Sequence, residues 1–338
     1  MPKMPKVSII LPFKNSSRTI KGCINSILRQ SFIHWELIAI DDHSTDSSLS
    51  ILKSFCKRDK RIIILKNPGD GIVDSLNFGI KKANSRLIAR MDADDIMHPQ
   101  RLSLQVERLE SQREIGLISC LVNHVPIGDH DTRGYQKYVT WINQVCSPYE
   151  ISLNQFIESP FAHPSVVFRR ELVTKYGGYR KGEFPEDYEL WLRFLDKGVQ
   201  MEKIKEYLLD WQDSKERVSR TGSKYKLGAF QNLKSIYLKK WIEKKVHSNK
   251  PLHAWGAGKF AKQQIKHLNR VGISVDFTYE IDPRKIKRGE DVLHINQIPS
   301  PDQCFILCLV GKDGARGKIT EFLTKKRYII EKDFIFAA

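Results

Sequence analysis

The sequence predicts an α/β protein: a mostly parallel sheet flanked by helices, followed by a second, smaller α/β domain. Two observations support this fold class. Between residues 6 and 95, apolar strand-like runs alternate with amphipathic helical segments across short loops, which is typical of parallel sheets. A polar stretch then ends in HSNKP, and the same alternation begins again at Leu252.

Each element of the first sheet has its own signal. The strands are runs rich in Val, Ile and Leu, and the helices repeat apolar residues every three or four positions. The predicted strands are 6–13, 35–46, 61–67 and 86–95, and the helices between them are 15–31, 47–59 and 71–84. After residue 115 the pattern loosens, and residues 212–226 are polar, basic and expected to form a mobile loop.

The amino-acid composition limits the classes of binding partner that this chain is expected to have. The 338 residues include 41% hydrophobic ones, enough for a sizeable core, and a formal charge of +17 favours an anionic partner such as a phosphorylated ligand or a membrane surface. The basic residues are dispersed and match no DNA or RNA motif, so no nucleic-acid partner is expected. The six scattered cysteines indicate a reducing cytoplasm, and no apolar run reaches the ~18 residues of a membrane span.

Polar side chains collect where the predicted strands end. In open parallel sheets, ligands bind beyond the carboxyl ends of the strands. Carboxylates crowded there repel one another, and a divalent cation, Mn²⁺ or Mg²⁺, relieves the repulsion and can bridge to a diphosphate. The residues at these ends are Pro12, Asn15, Asp41, Asp42, Asp92, Asp94 and Asp95.

Four motifs then occur in order: VSIILPFKN, LIAIDDHSTD, ARMDADD and PEDYELWLR. Together they resemble the signatures of family 2 glycosyltransferases of the GT-A fold, over about residues 5–222. The resemblance implies a metal-dependent, inverting transfer of a sugar from a nucleotide-sugar, with a UDP-linked donor as the first choice. The acceptor would be a hydroxyl of a glycan or lipid-linked molecule in surface polysaccharide or lipopolysaccharide synthesis.

The resemblance also implies a role for individual residues. The segment from Pro12 through Asn15 would line the nucleoside pocket, and Asp42, with Asp41 beside it, would accept a hydrogen bond from the base. Asp94 would bind the metal, and Asp92 would face the ribose or the metal. Asp187 would be the general base that takes the proton of the acceptor hydroxyl, with Glu186 next to it.

Several of these positions also have structural explanations, which the sequence leaves open. Asp41 fits a capping turn, and Asp95 fits a helix cap as well as a metal ligand. Glu186 and Asp187 begin a helix, where acids stabilise the helix dipole. Arg90 lies on the strand before the acids, as a partner either for them or for the diphosphate in the donor pocket.

Residues further along the chain are candidates for acceptor and phosphate contacts. His163 and Trp191 would face the acceptor, or else lie buried in the core. Arg217 and Arg220 lie in the 212–222 segment, where many GT-A enzymes carry a loop that closes over the donor. They would clamp phosphate there, or belong to a solvated loop.

The expected domains are 1–226 for the glycosyltransferase domain, 227–250 for a basic linking helix and 251–338 for a small Rossmann-like domain. In the last, HAWGAGKFAKQQI gives a GxGxxA turn with Gly256 and Gly258, and Asp282 ends the next strand. These residues fit a nucleotide site, while close packing of strand on helix explains the glycines equally. Membrane contact through the basic helix and homodimer formation stay open.

Two other functions compete with glycosyl transfer. A nucleotidyltransferase usually carries a glycine-rich loop after its first strand, and LPFKNSSRTI has no glycine in that loop. A nucleotide or sugar-nucleotide sensor or scaffold, acting through the C-terminal domain, has no need of the acids at 92–95 and 186–187.

Overall fold

The structure is a computed structural model, and its chain forms two compact units. The first contains most of residues 1–222, and the second contains 223–338 with two short segments, 152–159 and 183–185. The residues that the structure describes are 4–217, 220, 222–246, 250–286 and 291–338.

The first unit is built on an eight-stranded sheet in the order β3-β2-β1-β4-β7-β6-β8-β5. Strands β1 to β4 pair in parallel, as do β6 and β8, whereas β7 runs antiparallel to β4 and β6 and β5 runs antiparallel to β8. The strands are β1 (Val7–Phe13), β2 (Trp35–Asp41), β3 (Ile62–Lys66), β4 (Leu87–Arg90), β5 (Ile96–Met97), β6 (Ile115–Ile127), β7 (Val167–Arg169) and β8 (Gln200–Ser214).

Helices cover both faces of this sheet because its strands are apolar on both sides. Val7, Ile9 and Leu11 of β1 enter one buried cluster and Ile10 enters the other, as the alternation of side chains along a strand requires. Helices α1, α2 and α4 contribute to the first cluster, and α3 and α8 to the second. The helices are α1 (Ile20–Leu28), α2 (Ser48–Cys56), α3 (Gly71–Lys82), α4 (Arg101–Ser111), α5 (Arg133–Gln144), α6 (Pro148–Asn154), α7 (Arg170–Tyr176) and α8 (Glu186–Asp196).

The centre of the sheet opens at the carboxyl end of β1. This strand pairs with β2 along its whole length, but its pairing with β4 stops at Ile10. Pro12 lies past that point, so its missing N–H removes no bond of the β1–β4 ladder. The ends of β1, β2 and β4 therefore surround an edge at which backbone and side chains can meet a ligand.

The second unit contains a five-stranded sheet in the order β11-β10-β9-β12-β13, in which each neighbouring pair is parallel. Its strands are β9 (Leu252–Trp255), β10 (Phe277–Glu280), β11 (Val292–His294), β12 (Phe305–Cys308) and β13 (Phe334–Phe336), and its helices are α9 (Leu227–Lys245), α10 (Lys259–Arg270) and α11 (Ala315–Lys325). The predicted fold class, a large mostly parallel sheet with helices and a smaller parallel α/β part, is confirmed.

The basic helix α9 differs from its sequence-based description. It lies in the second unit and contacts α10, where Gln264 donates to Ser235 at 2.8 Å and Lys239 donates to the Val271 carbonyl at 2.8 Å. Its solvent-facing stripe is mainly polar, with Leu227 and Ile236 as the large apolar exceptions. Such a stripe offers little apolar surface to a lipid bilayer.

Two further findings concern the loop prediction and the membrane. Residues 212–214 belong to β8, so the predicted loop begins later than expected; Val218, Ser219 and Thr221 lie outside the described residues. Among the described helices, none combines the length and the apolar character needed to cross a bilayer.

Candidate active site

Asp42 lies at the end of β2 and is held by its neighbours. Its Oδ1 accepts hydrogen bonds from the Asn67 amide at 2.6 Å and from the Gly71 N–H at 3.0 Å. Its Oδ2 lies 3.7 Å from the Lys14 ammonium. Asp42 is 7% exposed, and these protein contacts fix the orientation of its carboxylate.

Three predicted nucleoside-pocket residues shape the loops around this edge. Asp41 accepts the Ser44 N–H at 3.0 Å, so it forms the turn that the sequence left open. Asn15, at φ 49°, accepts the Thr45 N–H at 2.8 Å and ties the β1–α1 loop to the β2–α2 loop. Pro12 is buried in β1 beside Ile40. Their roles in nucleotide binding stay predictions.

Asp92, Asp94 and Asp95 form one cluster after β4, with one carboxylate oxygen of each lying within 4.8 Å of the others. Asp95 is fully buried, and its Oδ1 accepts the Gln212 N–H at 2.8 Å. It caps no helix, because the next helix, α4, begins at Arg101 with Gln100 as its cap. Its Oδ2 is buried and has no hydrogen-bond partner in the described structure.

The cluster is electrostatically strained. Burial raises the pKa of the Asp95 carboxyl well above its usual value, and the neighbouring Asp94 and Asp92 add to the rise. The pKa of Asp94 is also raised, by burial and then by Asp92, while Arg217 opposes the rise. Three acids held this close favour a bound cation or protons, because Arg90 and Arg217 offset only part of their mutual repulsion.

The donor set fits a hard divalent cation. All the candidate ligand atoms are carboxylate oxygens, which Mg²⁺, Mn²⁺ and Ca²⁺ prefer. The orphaned Asp95 oxygen is a buried acceptor that a cation would satisfy. Asp92, Asp94 and Asp95 are therefore the residues that would hold such an ion.

Two buried arginines lie behind the acids. Arg90, 2% exposed, donates to Asp92 Oδ1 at 2.6 Å and to the Met91 carbonyl. Arg101, fully buried, donates to the Arg90 carbonyl at 3.0 Å and to Gln105 at 3.1 Å. Burial alone would lower the pKa of Arg90, but Asp92, Tyr179 and Glu186 together outweigh burial and the pKa is raised. The structure thus shows Arg90 as a partner of Asp92 beneath the surface, one of the two alternatives that the sequence left open, and its role in the donor pocket stays a prediction.

The second acidic pair lies at the start of α8. Glu186 is 3% exposed, Asp187 is half-buried, and Asp187 Oδ1 accepts the Tyr188 N–H at 2.7 Å. Burial raises the pKa of the Tyr179 phenol, and Asp187, Glu186 and Asp92 contribute while Arg90 opposes the rise. Tyr179 thus lies in the field of both acidic groups, which the fold brings to the same region of the first unit.

His163 and Trp191 belong to the interior. His163 Nε2 lies 2.8 Å from the Tyr179 hydroxyl, and its ring is largely buried. Trp191 is fully buried and packs against Phe161 and Phe194, with ring centroids at 5.8 and 6.4 Å. Both residues therefore match the buried alternative that the sequence left open: Trp191 exposes no face for a sugar, and His163 contacts a tyrosine, so an acceptor role for either stays an untested prediction.

The two arginines of the 212–222 segment lie differently. The Arg217 guanidinium stacks 4.4 Å from the Trp211 ring centroid and donates to the Gln212 carbonyl at 2.9 Å. Burial alone would lower the pKa of Arg217, but Tyr135, Asp95, Asp92 and Asp94 raise it. Arg217 therefore lies in the electrostatic field of the acid cluster.

Arg220 instead forms a two-pronged ion pair with the buried Asp213, at 2.8 and 2.5 Å. His124 shares the same carboxylate at 3.0 Å. In this arrangement Arg220 anchors the segment to the end of β8, and its phosphate role stays a prediction. For Arg217 the phosphate role stays a prediction.

The residues of the second unit that were predicted to bind a nucleotide mostly make local structural contacts. Gly256 adopts φ +123°, and a Cβ there would meet the Leu309 carbonyl at 3.0 Å, so close packing requires this glycine. Asp282 caps a turn by accepting the Arg284 N–H and pairs with the Arg284 side chain at 2.9 Å. Around Gly258 a Cβ would meet no atom within 4 Å.

Sequence reasoning missed Asn67, Arg101 and Tyr179. Asn67 follows β3 and could have been found by the same strand-end rule that found Asp42. Arg101 begins an amphipathic helix and reads as a surface residue, so no signal in the sequence indicated its burial. Tyr179 lies in a glycine-rich stretch without periodicity, and only the fold brings it to the acids.

Comparisons with known proteins agree with the motifs. The profile of the Glycosyl transferase family 2 matches residues 8–177, half of the chain. The UDP-Gal:alpha-D-GlcNAc-diphosphoundecaprenol beta-1,3-galactosyltransferase of Escherichia coli is 30% identical over 239 residues, covering 69% of this chain and 82% of that protein. The O-antigen biosynthesis glycosyltransferase WbnJ of Escherichia coli is 25% identical over 248 residues, covering 72% of this chain and 91% of that protein.

A solved structure supports the fold. The crystal structure of S. aureus TarS 1-349 in complex with UDP-GlcNAc aligns with a TM-score of 0.53 and 16% identity, covering 78% of this chain and 72% of that chain. At that identity the likeness concerns the fold alone. The family match and the relatives together show that the chain belongs to the family 2 glycosyltransferases and is a glycosyltransferase enzyme.

Proposed function

We propose that this enzyme transfers a sugar from a nucleotide-sugar, UDP-linked as the first choice, to a hydroxyl of a glycan or lipid-linked acceptor, with inversion and with a divalent cation. The observation that carries the proposal is the cluster of Asp92, Asp94 and Asp95 with its orphaned, buried carboxylate oxygen. The name of the E. coli galactosyltransferase supports the UDP-linked donor and a lipid-linked acceptor.

The residues divide the work by position. Asp42, oriented by Asn67 and Gly71 at the end of β2, would accept a hydrogen bond from the donor's base. Asp94 and Asp95, with Asp92 fixed by Arg90, would hold the cation. A cation bound there would neutralise charge on the diphosphate leaving group.

Asp187 is the proposed general base. Taking the proton of the acceptor hydroxyl makes that oxygen a nucleophile for the anomeric carbon, and attack opposite the departing diphosphate inverts the configuration. Asp187 lies at the start of α8 and is half-buried. A positioned base of this kind contributes ~100- to 10,000-fold in rate.

Calorimetric titration of UDP, with and without Mn²⁺, tests the donor site. Wild type should bind UDP in a Mn²⁺-dependent manner, and Asp94→Ala should lose that binding while keeping its melting temperature. Glu114→Ala, an exposed acid of the same unit, is the control and should bind as wild type. Mn²⁺-dependent binding that survives Asp94→Ala would remove the metal assignment.

The base assignment needs a separate assay. Asp187→Asn should bind Mn²⁺ and UDP normally and transfer sugar at least ~100-fold more slowly in single-turnover reactions. The acceptor for this assay would be chosen from lipid-linked saccharides. Normal transfer by Asp187→Asn would refute the role.

A further inference from the structure

The second unit contains a cavity of about 550 Å³ at the carboxyl edge of its sheet. Strand β9 is central, with β10 on one side and β12 on the other, so the connections diverge at the carboxyl end of β9. Open parallel sheets bind ligands at such a point. The cavity lies beside the residues that follow β9 and β10, and its volume is within the ~300–1,000 Å³ usual for small-molecule sites.

The lining of this cavity is strongly basic. Four of its seven lining residues are lysines, three from α10 and one from the turn after β10, and the seven include no acid. The lining residues are Ala257, Gly258, Lys259, Lys262, Gln263, Lys266 and Lys285. A concave surface lined by positive charges concentrates anions, because its field lines converge in the opening.

Glu280, the last residue of β10, shows that this edge already stabilises an anion. Its carboxylate is 6% exposed and accepts the N–H groups of Ala257 at 3.1 Å, Ile281 at 3.0 Å and Asp282 at 3.2 Å, and Lys285 lies 3.4 Å away. Burial would raise the pKa of Glu280, but these N–H donors lower it overall. Lys285 is the ion-pair partner of this carboxylate, and the other three lysines of the lining lie on α10.

The backbone leaves room at the same place. Gly256 is held tightly against the end of β12, where a Cβ would collide with Leu309 and Val310. Two residues later, Gly258 faces open space on the cavity side. A ligand can therefore approach the chain at Gly258 while Gly256 keeps the turn in place.

We propose that this cavity binds the diphosphate group of a small molecule, with Lys259, Lys262 and Lys285 as the phosphate contacts. Two adjacent phosphates carry enough negative charge to engage several ammonium groups at once, which a single carboxylate does not. The site is separate from the acid cluster of the first unit, contains no acidic ligand for a metal in its lining, and binds its ligand without a divalent cation.

Calorimetric titration of the full chain in EDTA and low salt, with inorganic pyrophosphate, UDP and ADP as probes, tests this site. Wild type should bind at least one probe saturably, with affinity that falls as NaCl screens the lysines. Lys259→Glu/Lys262→Glu should weaken that binding at least tenfold. Tighter binding of a nucleotide than of pyrophosphate would identify a nucleotide as the ligand, and equal affinities would identify free diphosphate.

The controls separate this site from the donor site. Lys318→Glu/Lys332→Glu makes the same charge change on exposed positions of the second unit outside the cavity and should bind as wild type. Asp94→Ala should also bind as wild type in EDTA. The proposal is overturned if wild type binds no probe, if both lysine pairs weaken binding equally, or if only Asp94→Ala abolishes it. The four substituted lysines, Lys259, Lys262, Lys318 and Lys332, are exposed. Both double variants should therefore melt at the wild-type temperature, and this measurement verifies that they fold.

Discussion

Replacing Lys203 with methionine should stabilise the protein at neutral pH. Lys203 lies in β8 and is 3% exposed, with its ammonium donating to the Ile142 carbonyl and lying 5.3 Å from the centre of the Phe161 ring. Burial lowers its pKa from 10.5 to about 7, a shift that Cys146 and Cys120 only partly oppose. Methionine has a similar length, and the Ile142 carbonyl keeps the Val145 N–H at 3.2 Å.

The magnitude follows from the two pKa values. Between pH 7 and 10.5 the unfolded chain binds more protons at this position than the folded one, so stability rises with pH in that window. A difference of about 3.5 units corresponds to roughly 5 kcal/mol of lost stability below pH 7, where both forms are charged. Losing the hydrogen bond from Lys203 to the Ile142 carbonyl should cost about 1 kcal/mol. Lys203→Met should therefore be more stable than wild type by several kcal/mol at pH 7.

Urea unfolding followed by tryptophan fluorescence at pH 6, 7, 8 and 9 measures the effect. The stability difference between Lys203→Met and wild type should shrink by about 2 kcal/mol from pH 7 to pH 9, as wild type loses its buried charge. Lys205→Met, an exposed lysine on the same strand, is the matched control and should stay within about 0.5 kcal/mol of wild type. A Lys203→Met difference that is absent, or constant with pH, would refute the reasoning.

Three further substitutions test other contacts. Glu189→Gln breaks the buried pair with Arg193, whose nitrogens lie 3.0 and 2.7 Å from the carboxylate, and should cost about 3–5 kcal/mol in urea unfolding; an unchanged midpoint would contradict this. Gly79→Ala places a methyl 2.7 Å from an isoleucine of β1 and should cost about 1–3 kcal/mol, measured by the same method. Asn67→Ala removes a 2.6 Å hydrogen bond to Asp42 and should weaken UDP binding roughly tenfold in titrations with Mn²⁺, with unchanged melting. A UDP affinity equal to that of wild type would contradict the proposed role of Asp42 in recognising the base.

The regular elements of both sheets could be predicted because their signals are local. Runs such as Val7–Phe13 and Trp35–Asp41 are buried along their whole length, and such strands are continuous apolar runs. The acids at 41–42 and 92–95 could be placed at one edge because parallel strands end on the same side. Pairing order is not local, so the antiparallel β5 and β7 were not anticipated.

The burial of single polar side chains was the feature that the sequence predicted least well. Arg101 and Lys203 occupy positions where a charged residue is normally solvated, and each is buried because backbone carbonyls elsewhere in the chain accept its hydrogen bonds. Trp191 fits a core helix and an exposed sugar platform equally well by sequence. Only the packing of Phe161 and Phe194 around it decides between them.

The two buried arginines bear on how the acidic edge is assembled during folding. Arg90 binds Asp92 directly, and Arg101 fixes the backbone of Arg90, so part of the negative charge is balanced from within the protein. A site built this way can fold without the proposed cation, unlike small domains that fold only around their metal. Chelators would therefore be expected to leave the fold intact, and the concentration of the proposed cation would change activity without changing the lifetime of the folded protein.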